Sequence, residues 1–105
     1  MCDTSDKTTA IPTVQIDTPR MRVTEWRFPH KGAQTGWHRH AYDYVVVPLF
    51  NGQLRIELPG GEEMIAELRH GVPYARDIGT EHNVISDNDF ECAFIELELL
   101  EDRPG

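Results

Sequence analysis

Residues 36–48 read Gly-Trp-His-Arg-His-Ala-Tyr-Asp-Tyr-Val-Val-Val-Pro, and this stretch carries the strongest structural and chemical signal of the chain. Its Val and Tyr content predicts an extended strand over residues 37–50, with Pro48 at an edge or a bulge. Alternate side chains of a strand share a face, so His38 and His40 point the same way, about 7 Å apart at Cα. Two such imidazoles can converge on one metal ion, although an isolated His-x-His pair is also typical of two surface histidines.

The same alternation predicts which neighbours join the histidines. Tyr44 falls on the face of His38 and His40, whereas Asp43 points to the other face unless a bulge intervenes. Beyond this strand, Asn51-Gly52 is a strong signal for a tight hairpin turn.

The rest of the chain is a series of short alternating segments separated by turn residues. No segment repeats apolar residues at the spacing of an amphipathic helix. Further strands are predicted over residues 12–16, 21–28, 53–58, 64–68, 72–76, 82–85 and 90–100. About nine short strands at this spacing predict an all-β sandwich or barrel.

Composition limits the classes of function. The chain has 105 residues, the size of one domain, which we assign to residues 12–105 after a flexible N-terminal leader, residues 1–11. Ten Lys plus Arg against eighteen Asp plus Glu give a net charge of −8, which argues against a nucleic-acid partner. The uncharged run 44–50 is too short to span a membrane. Only two cysteines and no export signal at the N-terminus favour the cytoplasm.

The spacing of Gly and His residues resembles the two motifs of the cupin superfamily. The first motif, G-x5-H-x-H-x3,4-E-x6-G, is matched by Gly32, His38, His40 and Gly52, with Gly52 one residue late. The second motif, G-x5-P-x-G-x2-H-x3-N, is matched by Gly71, Gly79 and His82. The run 36–48 is also similar to that of small single-domain cupins labelled as β-alanine degradation proteins. The resemblance implies a jelly-roll barrel (a double-stranded β-helix) of about nine strands.

The chain departs from the motifs where function is decided. The usual Glu ligand falls at Tyr44, or at Val45 with the longer spacing, and the motif Pro and Asn become Asp77 and Ser86. The resemblance therefore implies a three-histidine metal site formed by His38, His40 and His82. Tyr44 could ligate the metal, hydrogen-bond to a metal-bound ligand, or only pack.

The resemblance also implies one divalent transition metal per chain. Cupins with three histidines and no Glu ligand include iron enzymes that act on thiols and β-diketones, so Fe(II) is favoured. Zinc, nickel, manganese, cobalt and copper remain alternatives, because three imidazoles suit several of these ions.

Two residues are candidates for ligand binding. Arg76 ends a predicted strand and could bind a carboxylate bidentately, or lie solvated at the strand end. Trp26 is expected to line the barrel, where it would contact the ligand, or to lie in a dimer face. His30 and His70 lie in predicted turns and are expected at the surface.

These residues support two hypotheses of function. The first is a metal-dependent enzyme, resembling an Fe(II) dioxygenase, that acts on a small carboxylate-bearing metabolite. The second is a non-catalytic module that binds or senses a metal or small molecule. A homodimer is predicted in either case, because a small barrel leaves edge strands to cover, of which residues 12–16 are the first candidate.

Overall fold

A computed structural model describes residues 9–100, which form nine β-strands and one short 3-10 turn, Pro59–Gly61. The strands are β1 Ile11–Asp17, β2 Met21–Phe28, β3 His38–Arg39, β4 Asp43–Pro48, β5 Gly52–Glu57, β6 Glu63–Leu68, β7 Tyr74–Arg76, β8 Glu81–Ser86 and β9 Cys92–Leu99. The prediction of an all-β fold with about nine strands is confirmed. Within residues 9–100 there is no helix with the length and apolarity needed to cross a bilayer.

The strands form two sheets that enclose the core. One sheet has five strands in the order β1-β2-β9-β4-β7, and the other has four in the order β3-β8-β5-β6. Alternation turns one face of each sheet inward, and the rings of Phe28 and Phe94 meet there with centroids 5.6 Å apart. Phe28, Leu54 and Pro48 are among the most completely buried side chains.

The strand predicted over residues 37–50 is divided in two, which corrects the sequence analysis. β3 belongs to the four-stranded sheet and β4 to the five-stranded sheet, so the chain crosses between the sheets at residues 40–42. His40 lies in this crossing. Its amide donates to the Thr80 carbonyl, and its carbonyl accepts from the Gly79 amide, each at 2.8 Å. Pro48 is the last residue of β4, beyond the part of that strand that pairs with β7, so its missing N–H breaks no pairing with β7.

The Asn51-Gly52 hairpin is also corrected, because β4 and β5 lie in different sheets. Neither residue has a positive φ. Gly52 is required by a close approach instead: a Cβ atom there would clash with Asn88 Oδ1. Asn88 holds the adjacent backbone, accepting from the Gln53 amide at 2.9 Å and donating to its carbonyl at 2.8 Å.

The predicted leader, residues 1–11, extends too far along the chain, because residues 9–11 already pair with the barrel. Ala10 is buried, its amide donates to the Gln34 carbonyl at 2.8 Å, and Thr9 forms a β-bridge with Gln34. Ile11 then begins β1. Residues 9–11 are therefore part of the barrel, because Thr9 and Ala10 pair with the loop before β3 and Ile11 pairs with β2. Residues 1–8 of the leader, like residues 101–105, lie outside the described part of the chain.

Candidate metal centre

Three histidine side chains converge at one end of the barrel. The Nε2 atoms of His38 and His40 lie 3.0 Å apart, and those of His40 and His82 lie 3.1 Å apart. Two nitrogens that each lie about 2.0–2.1 Å from one ion are separated by roughly 2.9–3.4 Å at ligand–metal–ligand angles of about 90–110°. The observed separations therefore fit a shared metal ion. In residues 9–100 this is the one group of three His, Cys, Asp or Glu side chains with such proximity.

Two elements of the four-stranded sheet and one crossing segment bring these side chains together. His38 of β3 is the direct cross-strand partner of His82 of β8, so both project from the same face of the sheet. His40 reaches the cluster from the crossing between the sheets, where its backbone is tied to residues 79 and 80. The three histidines implied by the resemblance do lie together, but His38 and His40 are not brought together by a single continuous strand, as was expected.

The tautomer of His38 is set by a backbone carbonyl. Its Nδ1–H donates to the Gly36 carbonyl at 2.8 Å, which leaves the Nε2 lone pair directed at the cluster. Gly36 has a φ of +89°, a left-handed conformation that other residues adopt with strain. The Gly36 amide donates to Asn83 Oδ1 at 2.9 Å, and this bond holds the turn in place.

Burial keeps the other two imidazoles neutral. Burial, followed by the charges of His38 and His82, lowers the pKa of His40 to about 3. Burial, followed by the charges of His38 and Arg76, lowers the pKa of His82 to about 4. Their side chains are 6% and 8% exposed. A neutral imidazole is the form that binds a metal ion, so no proton has to be displaced from either ring at neutral pH.

Tyr44 lies beside the cluster, as predicted, but it comes from the opposite sheet. Its ring stacks on that of His40 with centroids 3.8 Å apart and an interplanar angle of 15°. The hydroxyl is buried without a hydrogen-bond partner in the described chain, and burial, followed by the charge of Glu96, raises its pKa to about 12. The nearby Thr80 hydroxyl, which donates its hydrogen to the Asp77 carbonyl, limits the rise in the pKa of Tyr44. Asp43 faces away and accepts from the Ile78 amide at 2.7 Å.

A cavity of about 90 Å³ opens beside the three histidines and continues along the inner face of the five-stranded sheet. Trp26 and Arg76, the two predicted ligand-binding residues, both line it. Trp26 also packs against the core, and the Arg76 guanidinium lies 4.6 Å from the centroid of the Tyr74 ring. His30 and His70 are exposed and lie outside the cluster.

Comparison with known proteins agrees with this architecture. The chain is 50% identical over 95 residues to the β-alanine degradation protein BauB of Pseudomonas aeruginosa, an alignment that covers 90% of this chain and 98% of BauB. It is 55% identical to a cupin domain from Bordetella pertussis of known crystal structure, with a TM-score of 0.82 over 87% of this chain and 93% of that one. The chain belongs to the cupin superfamily. No protein-family model matches it.

A solved structure of much lower sequence identity has a similar fold. A double-stranded β-helix cupin from Methanocaldococcus jannaschii is 13% identical, with a TM-score of 0.70 over 88% of this chain and 81% of that one. At this identity the likeness concerns the fold alone. The predicted cupin fold is confirmed by the 55% identical cupin domain of known structure.

One residue of this cupin's cavity was missed by the sequence analysis. Glu96 of β9 lines the cavity and is 9% exposed. Burial, and then the charge of Glu98, raise its pKa to about 7. The available signal was the alternation of β9, in which Phe94, Glu96 and Glu98 share one face, but alternation does not say which face is inside.

Proposed function

We propose that this cupin binds one divalent transition metal through His38, His40 and His82 and acts as a metal-dependent enzyme on a small, carboxylate-bearing metabolite. The observation that carries the proposal is the convergence of three Nε2 atoms, 3.0 and 3.1 Å apart in the two measured pairs, beside a cavity. The resemblance to three-histidine iron cupins favours Fe(II) and an oxygenase-type reaction. Bound there, the ion would supply Lewis-acid and redox chemistry to a ligand in the cavity.

The protein's own residues would bind and orient that ligand. Arg76 lies at the end of β7, directly across the strand pair from Tyr44, and its guanidinium can hold a carboxylate bidentately. Trp26 offers a flat apolar wall. The Tyr44 hydroxyl has a free hydrogen and a raised pKa, so it would donate a hydrogen bond to a ligand beside His40.

The name of BauB supplies candidates for the metabolite. BauB is described as a β-alanine degradation protein, so β-amino acids and the β-keto acids related to them are the first compounds to test on this cupin. Thiols and β-diketones complete the panel, because three-histidine iron cupins act on them.

A non-catalytic binding module is the second candidate function. It is favoured by the small cavity and by the absence of a carboxylate from the three-residue cluster. In this reading the same histidines would hold a metal or a metal-bound small molecule without turnover.

We also propose that the cupin is a cytoplasmic homodimer. All seven residues of β1 are exposed, and Ile11, Val14 and Ile16 are each about half exposed at the edge of the five-stranded sheet. A second copy that covers β1 would remove this apolar edge from water.

Anaerobic loading with Fe(II), followed by measurement of oxygen uptake with each compound of the panel, tests the enzymatic proposal. Stoichiometric metal with uptake on one compound class supports it. Metal retention without uptake on any class favours the binding module. Failure to retain any divalent metal would refute both metal-based readings.

A further inference from the structure

The Glu96 carboxyl group is buried in the cavity and has no partner among residues 9–100. Glu96 belongs to a row of cross-strand neighbours that spans four strands of the sheet. It pairs with Thr24 of β2 on one side and with Val46 of β4 on the other, and Val46 in turn pairs with Tyr74 of β7. Its side chain is 9% exposed and forms no hydrogen bond or ion pair with any residue in the described range 9–100. Burying a carboxylate without a partner is costly, so such a group is commonly kept for a ligand.

Two arginines on neighbouring strands of the sheet, Arg22 and Arg76, do not pair with Glu96. Arg22 lies 3.6 Å from Glu98 and 3.6 Å from Asp17. Arg76 donates to the Ala75 carbonyl at 2.9 Å and lies over the ring of Tyr74. The protein therefore leaves the countercharge of Glu96 to be provided by whatever enters the cavity.

The surroundings of Glu96 define which group fits. The rings of Trp26, Tyr74, Phe94 and Tyr44 line the same cavity. Aromatic faces attract organic cations, and a carboxylate among them provides both the charge and the hydrogen-bond acceptors that an ammonium group needs.

We propose that Glu96 binds the protonated amino group of the ligand, so that the cavity takes a small primary amine whose other end faces the three histidines. This inference rests on the proposed function, since it names the ligand class of the same cavity. Because the pKa of Glu96 is raised to about 7, part of the carboxyl population is protonated at neutral pH. A bound ammonium group would lower this pKa and keep the carboxylate ionised.

Titration of the metal-free, 15N-labelled protein with propylamine, and with 1-propanol as its uncharged analogue, tests the proposal by NMR. We expect propylamine to shift the amide signals of β9 and β2 and 1-propanol to leave them nearly unchanged. In Glu96→Gln, affinity for propylamine should fall by roughly thirtyfold or more, because a buried ion pair is lost. Glu98→Gln, two residues along the same face, is the matched control and should stay within about threefold of the natural protein.

Equal propylamine affinity in the natural protein and Glu96→Gln would overturn the proposal, as would equal affinity for propylamine and 1-propanol. Glu96→Asp keeps the charge and should retain more propylamine binding than Glu96→Gln, which separates lost charge from a folding defect. Metal content is measured on separate samples. If the histidines hold no metal, the proposed function fails while the amine titration still decides the role of Glu96.

Discussion

His38 and His82 face each other across the antiparallel pair of β3 and β8, with ring centroids 4.8 Å apart and an interplanar angle of 73°. This pairing joins the two motif halves of the chain, because each strand carries one of the two histidines. The third, His40, completes the cluster from a segment that belongs to neither sheet. The site therefore depends on the closed barrel and not on one local segment.

Removing any one of the clustered histidines is expected to release most of the bound metal. His38→Ala, His40→Ala and His82→Ala each leave two ligands, which hold a divalent ion far less tightly than three. Elemental analysis of purified protein checks this, with His30→Ala and His70→Ala as surface controls that should keep full occupancy. If His82→Ala keeps its full metal content, the three-histidine site is wrong.

Tyr44→Phe is expected to leave the metal content unchanged and to weaken ligand binding or turnover. The phenyl ring keeps the stacking on His40, whereas the hydroxyl that would contact the ligand is lost. Tyr42→Phe, two residues earlier in the chain, is the control. A visible tyrosinate band in the Fe(III) protein that disappears in Tyr44→Phe, together with metal loss, would show instead that Tyr44 is a ligand. No change in metal content or ligand response would mean that the ring only packs.

Gly36→Ala is expected to weaken metal binding through the carbonyl that orients His38. Alanine at a φ of +89° costs about 1–2 kcal/mol of stability and turns the carbonyl away from Nδ1. Gly32→Ala is the matched control, since Gly32 has a φ of +90° and open space around its Cα. Both variants should lose similar stability in urea unfolding, and only Gly36→Ala should lose metal affinity. Equal metal affinities of Gly36→Ala and Gly32→Ala would show that the Gly36 carbonyl does not position His38.

The stability of the metal-free protein should depend on Glu96 in a defined pH range. Its pKa rises from 4.5 to about 7 on folding, so the folded state holds this proton more tightly than the unfolded state. The group's contribution is therefore present below about pH 4.5 and lost as the pH rises through 7. We therefore compare the free energy of unfolding of Glu96→Gln with that of the natural protein. This difference should shift in favour of the variant by about 3 kcal/mol between pH 4.5 and pH 8.

Urea unfolding at the two pH values measures this gain. The exposed Glu67 of β6, changed to Gln, is the control and should show no such pH-dependent difference. A constant difference between Glu96→Gln and the natural protein across the range would contradict the raised pKa.

The proposed dimer predicts a mass of twice the monomer by light scattering at micromolar concentration. Ile16→Glu places a charge on β1 and should shift the mass to that of the monomer. Ile65→Glu is a matched control on β6 in the other sheet, since both isoleucines are about half exposed. A monomeric natural protein would remove the prediction.

Local sequence patterns were sufficient to predict the bounds of a strand where the alternation of side chains ends at a clear turn signal. β2 occupies residues 21–28, as predicted, because a strand with one inward face ends where the Pro29 turn begins. The resemblance to the cupin motifs implied the three histidines that the structure brings together. Local patterns could not show that residues 37–50 cross between sheets, because Val and Tyr favour extension in either sheet. Nor could they reveal Glu96. The apolarity of Ile95 and Leu97 would place them inward and Glu96 outward in the alternation of β9, whereas the structure shows the reverse.

β3 consists of two residues, and its pairing with β8 extends over only His38 and Arg39. So short a ladder contributes little to the cooperative core and can open while the longer strands stay paired. An ion held at the proposed site would link β3 to β8 through His38 and His82, in addition to the backbone hydrogen bonds of this short ladder.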